Sequence, residues 1–240
     1  MKDKYYQFVK VDEEITELYI YGDIRKPGLI EKWLGIDDDT RVDAYTFKDA
    51  LNDVDTPKLV VRINSMGGSV SEGLAIYGLL SDFKGELITK VDGFACSAAS
   101  VIFMAGQTRI VPTNGLIMIH NAWSTAEGNA NDLRKCADDL DMITKPSINI
   151  YCEKTGLSED EVKEMMDNET WMDYKIAIEK GFATNVESEN DVQQSLSDTN
   201  KYLYKIIKEN LKLKEQVSLL EKQPIDEERD NWESFLNTAK

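Results

Sequence analysis

The chain has 240 residues, 42% of them hydrophobic and 30% charged, which is enough apolar material for a packed core. Its net charge of −16 at pH 7 argues against a nucleic-acid backbone or an anionic membrane surface as the main partner, because both require a basic face. No run of 18 apolar residues occurs, so no transmembrane helix is expected.

The first residues, Met1-Lys2-Asp3-Lys4-Tyr5-Tyr6, lack the apolar core of a signal peptide. Three cysteines, Cys96, Cys136 and Cys152, have no metal-ligand spacing and are too few for a disulfide framework. A reducing cytoplasm is the expected setting. Leu18 to Ile24 reads as a first strand closed by Gly22, and Pro27 to Asp39 as a loop or short helix ending in Asp37-Asp38-Asp39. Phe47, Ala50 and Leu51 have helical spacing within Ala44 to Leu51. Leu59 to Asn64 is a β-branched strand that stops at Ser65-Met66-Gly67-Gly68. Ser69-Val70-Ser71-Glu72 has the form of a capping box, which starts a helix running to about Phe83 with Val70, Leu74, Tyr77 and Leu79 or Leu80 as its apolar face.

A strand from Glu86 to Val91 then ends at Asp92-Gly93, and the small residues Ala95 to Ser100 lead into an apolar helix as far as Ala105. Two further strands follow, Arg109 to Val111 and Leu116 to Ile119. Trp123 to Asn131 reads as a loop or exposed strand. Leu133, Cys136, Leu140, Ile143 and Ser147 mark a helix to Tyr151 that Pro146 should bend. Ser158-Glu159-Asp160-Glu161 is a second capping box, Tyr174 to Lys180 a helix ended by Gly181, and Phe182 to Val186 a last strand. Strands alternating with helices imply an α/β fold with largely parallel sheets.

Residues 190–240 carry eight basic and ten acidic residues, net −2, which leaves −14 on residues 1–189. Leu196, Leu203, Asn210 and Val217 are seven apart, and Thr199, Ile206, Leu213 and Leu220 follow each by three. This a/d pattern predicts a C-terminal helical tail ended by Pro224, either a coiled coil whose register Asn210 fixes or a helix packed on its own domain. The domains expected are therefore 1–189 and 190–240.

Ser97 should lie on the first turn of its helix, where unpaired N–H groups face outward and would stabilise an oxyanion formed by attack of its oxygen on a carbonyl. The competing reading makes Ser97 an N-cap and its small neighbours packing residues. Cys96 is a rival nucleophile by adjacency, or a small buried residue. His120, the only histidine, directly follows an apolar strand, and a serine nucleophile needs an imidazole base. Asp167 and Glu169 offer two carboxylates to orient that imidazole, before a buried-looking Trp171-Met172 pair; a solvated helix end would carry the same residues.

Three stretches together resemble the Clp protease proteolytic subunit family. Asn64 to Tyr77 looks like that family's Asn-Ser-Pro-Gly-Gly turn and following helix, with Met66 in place of Pro. Gly93 to Gly106 matches its nucleophile segment without gaps, with Ala98-Ala99 in place of Met-Gly. Met118-Ile119-His120 matches its catalytic histidine, and Gly181-Phe182 the glycine that closes its last helix. Twelve residues before Gly181 stands Glu169, where the family carries its catalytic Asp. The resemblance covers about residues 15–188 and implies a ClpP/crotonase-type fold with mostly parallel sheets and packed helices.

It also implies acyl transfer to Ser97, with His120 as proton acceptor and donor, and Glu169 (alternatively Asp167) holding the imidazole. The backbone N–H groups of Gly67 and Ala98 would bind the oxyanion. No metal or cofactor is implied. Ser124 to Asn131 resembles the family's handle, where two rings meet, so a ring-like homo-oligomer is expected. The segment between Gly22 and Leu59 and the heptad tail resemble the phage head-maturation (prohead) branch, which implies phage capsid or scaffold protein as substrate and the host cytoplasm as the place of action. Three alternatives are a proteolytic subunit working with an ATP-driven unfoldase, a catalytically silent ring scaffold and a crotonase-like acyl-CoA enzyme.

Overall fold

The computed structural model describes residues 6–28 and 41–186. The heptad tail, the division expected at 189/190 and the run Asp37-Asp38-Asp39 lie outside the described residues. The first described strand, β1 (Tyr6–Lys10), was not foreseen; it pairs antiparallel with β2 (Ile15–Tyr21). Beyond Gly22 come β3 (Asp23–Ile24) and β4 (Arg41–Val42), which pair with each other in parallel, so the expected first strand is two. β2, β5 (Lys58–Ser65), β6 (Glu86–Cys96), β7 (Thr108–Val111) and β10 (Asn185–Val186) then pair in parallel, in that order. β8 (Leu116–Ile119) pairs in parallel with β6 and antiparallel with β9 (Thr170–Met172). The mixed α/β architecture with a mostly parallel sheet is the one expected.

Buried and half-buried residues alternate along β2 and β5. One face supplies Leu18, Ile20, Leu59, Val61 and Ile63 to the core. On the other, Arg62 grips Asp92 with two N–H groups at 2.7 and 2.8 Å, Tyr21 donates to Asp92 at 2.5 Å, and Tyr19 donates to Glu17.

β6 differs most from the sequence reading, because it continues through Asp92-Gly93 to Cys96. Between the pairs Ile63–Val91 and Ser65–Ala95, β6 advances four residues while β5 advances two, so β6 bulges. Asn64 fills the bulge by accepting from the Phe94 N–H at 3.2 Å, and a Cβ at Gly93 would stand 2.6 Å from Asn64 Oδ1. Before the bulge β6 pairs with β7; after it, with β8. That change of neighbour brings the ends of β6 and β8 side by side.

Six helices are described: α1 (Ala44–Asn52), α2 (Val70–Ser81), α3 (Ala98–Phe103), α4 (Ala130–Thr155), α5 (Glu159–Asp167) and α6 (Tyr174–Glu179). The box at Ser158 and Glu161 forms as expected. The one at Ser69 does not: Ser69 makes no capping bond and Glu72 is buried. Glu72 instead accepts from the Ala44 N–H at 2.9 Å, at the start of α1, and pairs with Lys26 at 3.2 Å. The buried face of α2 is accordingly Glu72, Gly73, Ile76 and Leu80, with Val70, Leu74 and Tyr77 half-buried. α4 exceeds its expected length at both ends and runs through Pro146. The last strand is shorter than expected, with Phe182 and Ala183 buried ahead of it.

Candidate active site

Ser97 lies between the end of β6 and the start of α3, not on the first helical turn but at the N-cap position. Its side chain makes no capping bond. Its backbone has φ 52° and ψ −124°, a conformation that L-residues rarely adopt and that costs about 1–3 kcal/mol. Four hydrogen bonds hold it there, the longest from the Val101 N–H to the Ser97 carbonyl at 3.4 Å. The Ser97 N–H donates to the Met118 carbonyl at 2.9 Å, and the Ser97 carbonyl accepts from the Ser100 N–H at 2.9 Å and from the Ser100 hydroxyl at 2.6 Å. With the side chain freed from capping, Ser97 Oγ stands 2.8 Å from His120 Nε2.

His120 follows β8 directly, so the pairing of β6 with β8 sets it beside Ser97. The chain after it is tied to α4, where Thr144 Oγ1 accepts from the Ala122 N–H at 3.1 Å and donates to the Leu140 carbonyl at 2.8 Å. The antiparallel register of β8 on β9 pairs Ile117 with Met172, Met118 with Trp171 and Ile119 with Thr170. The ladder ends there: His120 follows its last residue on β8, and Glu169 precedes its first residue on β9. Glu169 is exposed with φ 47°, and among the described residues its carboxylate has no hydrogen-bond partner. Asp167 accepts from Asn121 Nδ2 at 2.7 Å. Neither carboxylate is bonded to His120 among the described residues.

Gly67 packs directly beneath the nucleophile. A Cβ there would lie 2.7 Å from Ser97 Cβ and 2.6 Å from the Cys96 carbonyl oxygen, and φ is +97°, so only glycine fits. Its N–H, however, donates to Ser65 Oγ at 3.0 Å, and Ser65 in turn donates to the Gly22 carbonyl at 2.6 Å. The donor expected at Gly67 is thus engaged. Among the described residues, the N–H groups of Gly68 and Ala98 have no partner. The motif contains two adjacent glycines, and the Ser65 bond distinguishes them.

Burial pushes the Cys96 thiol up to about 11, which keeps it neutral near pH 7. A cleft of about 480 Å³ opens at Ser97, with mainly apolar walls that include Met66, Val70, Val101, Met118 and Met166. Tyr151 also lines it, from α4, where Thr144, Ser147 and Tyr151 share one face. The helical pattern contained that face, but nothing in it distinguished a cleft wall from core. No helix among the described residues is long and apolar enough to cross a membrane.

The arrangement can be compared with known proteins. The Clp protease family profile matches residues 49–190. Two proteins named ATP-dependent Clp protease proteolytic subunit, from Bacteroides fragilis strains ATCC 25285 and YCH46, are each 30% identical over 181 residues. The alignments cover 72% of this chain and 84% and 80% of those relatives.

Proposed function

The chain belongs to the Clp protease family, a family of serine proteases, and on that premise we propose that it is an endopeptidase acting through Ser97, His120 and Glu169. The observation that carries this reading is the 2.8 Å approach of Ser97 Oγ to His120 Nε2, made by a serine that sits at a helix start without capping it. Ser97 Oγ attacks the peptide carbonyl while Nε2 takes its proton. The N–H groups of Gly68 and Ala98, which line the cleft with Ser97 and have no partner among the described residues, receive the oxyanion. Nε2 then returns the proton to the leaving amine, and water repeats the sequence on the acyl-enzyme. Glu169 holds the imidazole with its Nδ1 protonated, a role supported by its position immediately before β9, the strand paired with the β8 end that leads to His120. The apolar cleft walls favour an apolar side chain beside the scissile bond.

The protein processed is phage capsid or scaffold protein, a reading supported by the segment between Gly22 and Leu59 and by the heptads after Asn190. The names of the Bacteroides fragilis relatives support a second reading, a proteolytic subunit fed by an ATP-driven unfoldase. Co-expression with a phage capsid protein, followed by intact mass spectrometry, separates the two. Cleavage without any ATPase, absent in Ser97→Ala, is the expected outcome. Processing that requires an ATPase favours the second reading. An unchanged capsid protein and no reaction of Ser97 with a fluorophosphonate would overturn the endopeptidase.

A further inference from the structure

The strained backbone of Ser97 is tied to the core by a hydrogen-bonded chain that the reaction itself does not use. Tyr151, on α4, is 2% exposed and Ser100, on α3, is wholly buried. Their hydroxyls lie 2.7 Å apart. Ser100 has one hydroxyl proton, and it goes to the Ser97 carbonyl at 2.6 Å. Tyr151 must therefore donate to Ser100. Burial raises the Tyr151 phenol, so it remains a protonated donor throughout the working range. The Tyr151 ring is itself packed against Phe182, with centroids 5.5 Å apart.

The chain thus runs from the Tyr151 ring, packed on Phe182, through the Tyr151 and Ser100 hydroxyls to the carbonyl of the nucleophile. The orientation of that carbonyl is the ψ of Ser97, and with φ it sets where Cβ and Oγ point. We infer that Tyr151 and Ser100 are positioning residues that hold Ser97 Oγ in line with His120. The inference rests on the reading of Ser97 as nucleophile. A merely structural pair would affect melting alone; a positioning pair governs the reactivity of Oγ.

The test uses the full chain and measures the rate at which a fluorophosphonate labels Ser97, with peptide hydrolysis and melting temperature alongside. Tyr151→Phe and Ser100→Ala should each slow labelling about tenfold, the scale of one misaligned hydrogen bond. kcat should fall with KM unchanged, because the cleft keeps its shape. The pH profile should keep its form, since the pair passes no proton to His120. The double variant should be no slower than Ser100→Ala, because Tyr151 reaches Ser97 only through Ser100. If Tyr151→Phe melts below the assay temperature, Ser100→Ala carries the same test. A folded single variant that labels at the wild-type rate overturns the inference while leaving the nucleophile in place. A wild type that does not label at all overturns the nucleophile, and the inference with it.

Discussion

At the scale of the residue, the site is set by one unfavourable backbone conformation. Ser97 has φ 52° and ψ −124°, close to the first central position of a type II′ turn, where glycine is preferred. Were the strain the whole matter, glycine would stand there; a serine in that conformation keeps its Oγ at His120. Replacement by glycine should therefore abolish cleavage yet make the protein about 1 kcal/mol more stable than Ser97→Ala. Chemical denaturation of the two variants measures that difference, and an alanine variant as stable as the glycine variant would show that the backbone carries no strain. The neighbouring thiol gives a pH test. Because burial holds Cys96 up to about 11, raising the pH from 7 to 9 leaves it neutral, and the thiolate appears only as the pH approaches that value. Iodoacetamide at pH 8 should leave Cys96 unmodified in the folded protein, and Cys96→Ala should retain cleavage. Modification of Cys96 with loss of cleavage would restore it as the rival nucleophile.

At the scale of the element, the short ladder between β8 and β9 ends one residue short of both His120 and Glu169. Glu169 directly precedes β9 and its carboxylate has no hydrogen-bond partner among the described residues, whereas Asp167 is already bound to Asn121. Glu169→Gln should lower kcat/KM at least ~10-fold by leaving the imidazole unoriented, and Asp167→Asn should change it less than ~3-fold. Steady-state kinetics on a small peptide distinguishes them, and the reverse order would make Asp167 the orienting group. The ladder also marks what the sequence discloses. Ser97 and His120 each carried a local signal, a run of small residues opening a helix and the end of an apolar strand, and the fold brings their side chains together. Glu169 was reached by counting from Gly181, and the ladder it adjoins depends on a strand about fifty residues earlier in the chain. Glu72 shows the same limit. Its spacing from Ser69 is that of a capping box, but the N–H of Ala44 gives its carboxylate a tertiary partner. The bulge in β6 was hidden because Asp92-Gly93 is an ordinary strand stop until Asn64 lies across it. The two glycines of the turn could not be ranked before Ser65 was seen to take the N–H of one.

At the scale of the whole molecule, the first half of α4 lacks a core of its own. Residues 130–143 are exposed except for half-buried Cys136 and Leu140. Leu133, Met142 and Ile143 are 45%, 69% and 46% exposed, and Trp123, in the loop leading to the helix, is 77% exposed. A helical projection of about four turns gains little from propensity alone and is marginal in water unless its apolar side is covered. Such a seam beside an exposed tryptophan is covered most simply by the same seam of a second copy, in keeping with the ring-forming habit of the family. The charge of −16 per chain opposes that association, so bringing copies together depends on screening. Wild-type protein in 0.15 M salt, where the Debye length is about 8 Å, should therefore form a larger assembly than at 0.01 M, where it is about 30 Å. The pair Met142→Glu and Ile143→Glu should reduce assembly size at both ionic strengths, by setting two more negative charges into the seam. Melting of the single chain should not change, because neither side chain is buried in it. Sedimentation velocity at the two salt concentrations measures both effects. An assembly unchanged in mass by the glutamates would remove the α4 seam from the subunit interface.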